Sequence, residues 1–180
     1  DHSIQSATNI LKKIRETPNA VGMYVYWRKD DLQEDMQALR DECDVYQLSE
    51  MPLAVYCSNH HPLAKKNRSV SLKDLADEEI VLYKPYREDE YYLQKIFLSI
   101  NKKLPNIKYT VSDKNLIFTL LQETNCIFFA SQIPSNKRED NLYCVPIKEN
   151  IKAHHDLLIH KEHRDLPIVQ AFCKVAVEYY

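Results

Sequence analysis

The 180-residue sequence contains a single glycine, Gly22. With one glycine no G-x-G-x-x-G or Walker loop can be written, which excludes phosphate-cradling sites of those kinds. C-x-x-C pairs are lacking too: Cys43, Cys57, Cys126, Cys144 and Cys173 stand apart. The set is odd, and three of its members sit in or beside apolar runs. That favours buried thiols in a reducing cytoplasm over a disulfide framework. An excess of positive charge is also missing. The formal net charge of −2 makes the chain a poor nucleic-acid binder by itself. No apolar run approaches a membrane span, and no signal peptide is read at the start.

What is present is ordinary for a globular protein: 44% apolar and 28% charged residues. The length suits one domain or two small lobes, burying roughly 70% of the unfolded surface. In chain order, Ser3 can cap a helix whose apolar positions are Ile4, Ala7, Ile10, Leu11 and Ile14, ended by Pro18. Residues 22–27 read as a strand, and Asp30 or Asp31 caps a second helix with Leu32, Met36 and Leu39 inward. A strand at 43–45 follows.

Residues 53–56 are apolar enough for a buried strand. Pro62 fixes its own φ and pushes His61 out of the helical region, so the strand stops before it. Ser71 can cap a short helical turn, and Ile80-Val81-Leu82-Tyr83 reads as the next buried strand. A helix with Leu93, Ile96, Phe97, Ile100 and Leu104 on one face begins at acidic residues 88–90, where its dipole favours them. Residues 107–111 form a strand, and Ser112 or Asp113 caps a helix carrying Leu116, Ile117, Leu120 and Leu121. Strands at 126–129, 142–147 and 157–160 follow. Pro167 opens a closing helix with Ile168, Phe172, Val175, Ala176 and Tyr179 inward. Strands alternating with helices of these lengths predict an α/β fold with mainly parallel sheets.

The order of strand, "HPLA" (residues 61–64), "VSLKDLADE" (70–78) and strand resembles the effector-binding domain of LysR-type transcriptional regulators, and the order persists to the C-terminus. The resemblance implies a two-lobed, type 2 periplasmic-binding-protein-like fold with two crossovers. Lobe I would be residues 1–50 plus 149–180, and lobe II residues 51–148. Where the family writes G-x-G-I, this chain has Thr124-Asn125-Cys126-Ile127, and Asn125 can tolerate the left-handed backbone that such a turn uses. The family also begins with a strand before the first helix and runs through more chain between Asp44 and Met51. Omitted residues at both places are expected.

Three kinds of site follow. His154, His155, His160 and His163 cluster in sequence, but no cysteine or carboxylate completes a recognisable ligand set, so no metal is expected. Cys57 or Cys126 beside a histidine would suit a thiol enzyme, which needs an electropositive, partly exposed thiol. Cys126 heads an apolar strand and reads as a buried hydrophobe; Cys57, near His60, stays open. The third is a ligand cleft beyond the C-terminal ends of strands, where helix N-termini present free N–H groups.

That rule selects Ser3, the Trp27-Arg28-Lys29-Asp30-Asp31 loop, Lys84-Pro85-Tyr86, Ser112-Asp113 and Ala130-Ser131. The resemblance adds Tyr83 and Ile147 and places the effector between the lobes. Arg28 and Lys84 would pair with a carboxylate or phosphate of a small organic anion. No cofactor, catalysis or membrane contact is expected. The family further implies a homodimer, or a tetramer in the full-length protein, with DNA bound only through an N-terminal domain outside this sequence. The alternative is a stand-alone solute receptor of a transporter, which shares the fold; an export signal upstream of Asp1 would mark the receptor.

Overall fold

Ile10, Leu11 and Ile14 recur at helical spacing, and the first helix, α1 (Ala7–Glu16), buries all three. The computed structural model describes residues 7–27, 33–65, 68–83, 87–132 and 141–179. The chain divides into two compact units, Asp1–Glu50 with His154–Tyr180, and Met51–Ala153. It passes between them inside two strands, β2 (Cys43–Ser58) and β7 (Lys152–His160).

In the first unit, β1 (Gly22–Tyr26) pairs antiparallel with β7, from Gly22 opposite Leu158 to Tyr26 opposite His154. α2 (Gln33–Glu42) buries Leu39 and leads straight into β2. Arg15 of α1 forms an ion pair with Glu42 at the end of α2. Lys161 donates to the carbonyls of Arg40 and Asp41, where a helix C-terminus favours a cation. β7 is buried almost throughout. Its Asp156 accepts a hydrogen bond of 3.0 Å from the Tyr26 hydroxyl, and His154 stacks on the Tyr26 ring.

The closing helix, α6 (Pro167–Tyr179), opens on proline as expected. Its buried side is not the expected one. Val169, Cys173 and Ala176 pack with Leu157 and Ile159 of β7, whereas Ile168, Phe172 and Val175 point outward. Both stripes are apolar, so periodicity alone does not decide which one the sheet covers.

In the second unit the strand ends at Ser58, and α3 (Pro62–Lys65) starts on Pro62. His61 is buried and ties the turn together. Its Nδ1 accepts from the Leu63 N–H, and its Nε2 lies 3.0 Å from the Asn125 carbonyl. Ser71 and Asp74 form a capping box on a 3-10 turn, Leu72–Leu75. β3 (Glu79–Tyr83), β4 (Asn106–Val111) and β5 (Phe128–Ser131) follow, with α4 (Arg87–Asn101) and α5 (Lys114–Glu123) between them. Phe97 of α4 meets Phe129, while Ile117 and Leu121 of α5 pack with Val81 and Phe128. Helices thus cover both faces of the sheet, and β3 is accordingly apolar through its centre. Leu116 and Leu104, expected inward, are exposed; α4 ends at Asn101, before Leu104.

β3 pairs parallel with β4, and Ile80 forms a parallel bridge to Ile127, just before β5. β5 and β6 (Leu142–Pro146) each pair antiparallel with β2. It follows that β3, β4, β5 and β6 run one way and β2 runs against them. The mixed, mainly parallel α/β fold is therefore present in this unit. The β1–β7 pair of the first unit is antiparallel, the minority arrangement of such a mixed fold.

Asp44 and Met51 lie within one strand, β2. One expectation changes here. Asn125 is not left-handed: among the described residues other than glycine only Lys102 has positive φ. The turn after α5 is closed instead by Thr124, whose hydroxyl donates to the Leu120 carbonyl and accepts from the Cys126 N–H at 3.2 Å. A side chain does there what glycine freedom would do elsewhere.

Candidate functional site

The strand registers of the second unit place its expected site residues at one level. Tyr83 lies opposite Val111, Ala130 and Pro146 both lie opposite Ala54, and Ile80 lies opposite Ile127. Counting along the parallel strands puts Tyr83, Val111, Ala130 and Pro146 in a row. Ser112, Ser131 and Ile147 are the next residues of their strands, and Asp113 follows Ser112. Tyr83, Ser112, Asp113, Ser131 and Ile147 therefore share the C-terminal edge of the sheet.

Local chemistry fixes four of them. The Asp113 carboxylate accepts from the Asn115 N–H at 2.8 Å and caps α5, so this helix start is already satisfied in part by a side chain. The Lys114 ammonium lies 5.9 Å from the centre of the Tyr83 ring, within cation–π reach. The Ser131 carbonyl accepts from the Tyr56 hydroxyl at 2.9 Å. Ile147 bridges to Val70, whose N–H donates to the Pro146 carbonyl. Beneath the edge, Ala54, Tyr56, Val81 and Val111 belong to one buried cluster, which gives the edge a rigid base.

Trp27, in the first unit, is buried and immediately follows β1. Ser3, Arg28, Lys29, Lys84, Pro85 and Tyr86 lie outside the described residues. Two contributors were not foreseen. Gln132 donates its N–H to the Pro52 carbonyl, securing the edge beyond β5, and Glu149 accepts from the Leu72 N–H through both carboxylate oxygens. Tyr56 carried a signal only in hindsight, as a hydroxyl within an otherwise apolar strand.

The thiols lack the setting a nucleophile needs. Cys57 is fully buried, and burial, with Glu78 adding to it, pushes its pKa up to about 12. A thiolate is correspondingly scarce at neutral pH. Cys43, Cys126 and Cys144 are buried as well, and all five cysteines are free.

A groove in the first unit runs beside α6, lined by Tyr46, Ile159, Arg164, Cys173, Lys174 and Val177. It contains none of the expected site residues. No helix among the described residues is long and apolar enough to cross a membrane.

Comparison with known proteins bears on this arrangement. Residues 39–180 match the LysR substrate binding domain. No curated protein sequence matches the chain. Among solved structures, HinK, a LysR family transcriptional regulator from Pseudomonas aeruginosa, aligns over 95% of this chain and 56% of its own, with a TM-score of 0.71 and 13% identity. The effector binding domain of QuiR, in complex with shikimate, aligns over 97% of this chain and 78% of its own (TM-score 0.69, 19% identity). The regulatory domain of CcmR from Synechocystis PCC6803, in complex with 2-PG, aligns over 87% and 72% (TM-score 0.65, 16% identity). The chain spans little more than half the length of the first regulators it matches.

Proposed function

The chain belongs to the LysR substrate binding domain family, and from that premise we propose that it is the ligand-sensing regulatory domain of a transcription factor. In this reading it binds a small organic anion, and occupancy passes through a homodimer to a DNA-binding domain N-terminal to Asp1. The observation that carries the reading is the common edge formed by Tyr83, Ser112, Asp113, Ser131 and Ile147. In open α/β sheets small molecules bind beyond such edges. Arg28 and Lys84 enter the proposal as the cations that pair with the anion, and Trp27, Lys29, Pro85, Tyr86 and Ser3 as its further surroundings. That shikimate and 2-PG occupy the related domains supports a small-molecule effector here.

The homodimer is supported by α6. Ile168, Phe172 and Val175 are all more than half exposed and lie on one outward face, continuous enough to need cover. An isologous contact lets each copy cover the other's patch. The first helix spends Ile10, Leu11 and Ile14 inside its own unit. The free thiols, four of them buried, support a place in the cytoplasm.

The test separates sensing from DNA binding. A thermal-shift screen of small carboxylates and phosphorylated acids should yield at least one compound that raises the melting temperature with dose, as ligand binding to the folded state requires. The same chain should show only feeble, sequence-independent binding in a gel shift at physiological salt, given its net charge of −2. Tight sequence-specific DNA binding by these 180 residues alone would overturn the assignment.

A further inference from the structure

We propose that His160, Glu162 and His163 form a Zn²⁺ site on the turn between β7 and α6. The sequence H-K-E-H places two imidazoles and a carboxylate within one turn, and the fold brings them together. One ligand atom of each lies within 4.8 Å of the others. The turn is held by backbone bonds on both sides of His163, whose N–H donates to the His160 carbonyl while its own carbonyl accepts from Leu166.

The imidazole orientations fit a metal. His160 is buried at the end of β7, with Nε2 3.9 Å from a Glu42 carboxylate oxygen and Nδ1 4.0 Å from a Glu162 oxygen. The Glu162 backbone N–H also points at Nδ1, at 3.4 Å. An ion bound at Nδ1 would take the place of that backbone contact. Metal-bound histidines characteristically offer one nitrogen to the ion and donate the other N–H to a carboxylate. Glu42, itself held by Arg15, stands on the Nε2 side of the ring at 3.9 Å, beyond direct hydrogen-bond range.

The His163 ring lies 5.1 Å from that of His160, and its Nδ1 is buried without a hydrogen-bond partner among the described residues. A bound ion would satisfy that atom. Glu162, by contrast, is mostly exposed and free to close. A tetrahedral zinc needs its ligand atoms about 3.4 Å apart, and the Glu162 oxygen stands 4.0 Å from His160 Nδ1.

Two imidazoles and one carboxylate suit zinc rather than calcium or magnesium, which want oxygen. Water would complete the fourth position. Neighbouring cations do not occupy the site: Lys161 is bound to the carbonyls of Arg40 and Asp41, and Arg164 pairs with Asp44 and Asp165. This site uses none of the residues of the effector edge, so its test is independent of the proposed function.

The test is calorimetry and equilibrium dialysis of the untagged chain against Zn²⁺ at neutral pH, with melting curves run alongside. One ion should bind per chain at micromolar or tighter affinity and raise the melting temperature. Glu162→Gln and His163→Gln should each weaken binding by about tenfold or more while the metal-free proteins melt like the parent. Should His163→Gln fail to fold, Glu162→Gln, an exposed change, decides alone. Substoichiometric binding, or an affinity unchanged in Glu162→Gln, would overturn the proposal.

Discussion

A methyl group added at Gly22 would stand 2.7 Å from Cγ2 of Ile10 and 3.4 Å from Cβ of Leu158. The glycine is there for close approach: it lets α1 lie directly on β1, and its φ is not positive. Ile10 is buried and stiff about χ1, so it yields poorly. Gly22→Ala should therefore cost about 1–3 kcal/mol, the usual range for overpacking. Urea denaturation reads this as a lower midpoint, and an unchanged midpoint would mean that α1 can shift freely.

His155 has a different sensitivity. Burial lowers its pKa, with His154 adding to the effect and Asp156 opposing it. The folded protein thus binds fewer protons than the unfolded chain once the pH falls below the ordinary histidine value near 6.5. The stability His155 contributes is present above that value and is lost as the pH falls through it toward the depressed folded pKa. The urea midpoint of the parent should drop from neutral toward pH 5 more steeply than that of His155→Gln. Parallel profiles for the two proteins would remove His155 from the account.

At the scale of elements, what was legible in the sequence was the local chemistry. Pro62 marks a strand end, Pro167 a helix start, and Ser71 and Asp113 caps, and each does so in the structure. These features depend on a few neighbouring atoms and not on the rest of the fold. The inward side of α6 was not legible, because Val169 and Cys173 form one apolar stripe and Ile168 and Phe172 another. Only β7 decides between them. For the same reason Asn125 misled: the family pattern calls for backbone freedom, but Thr124 closes the turn with its hydroxyl.

The outward stripe of α6 yields a prediction of its own. Phe172→Glu places a charge on a half-exposed position outside the buried cluster of Leu157, Ile159 and Val169. If a second copy covers it, burying that unpaired charge is strongly unfavourable. Light scattering should then show a dimer for the parent and a monomer for the variant, with near-equal melting behaviour of the monomeric fold. A variant that remains fully dimeric would move the contact elsewhere.

At the scale of the whole molecule, the two lobes were an implication of the family resemblance, whereas the edge of the second unit followed from strand order. Parallel strands bring their C-terminal ends together whatever the side chains are, so Tyr83, Val111, Ala130 and Pro146 had to come to one level. The supports of that edge were hidden, because Gln132, Glu149 and Tyr56 act through contacts far away in sequence. Glu162 was overlooked for a similar reason, since only the folded turn sets it beside both histidines.

The central claim is that this domain holds a small anion at that edge with Lys84 and Arg28. A charge-assisted hydrogen bond is worth about 1.5–3 kcal/mol, so losing one weakens binding roughly ten- to a hundredfold. The decisive measurement is calorimetry of the parent, Arg28→Ala and Lys84→Ala with one effector found by the screen. Each variant should bind at least about tenfold more weakly while melting like the parent. Two variants that bind as tightly as the parent would contradict the claim.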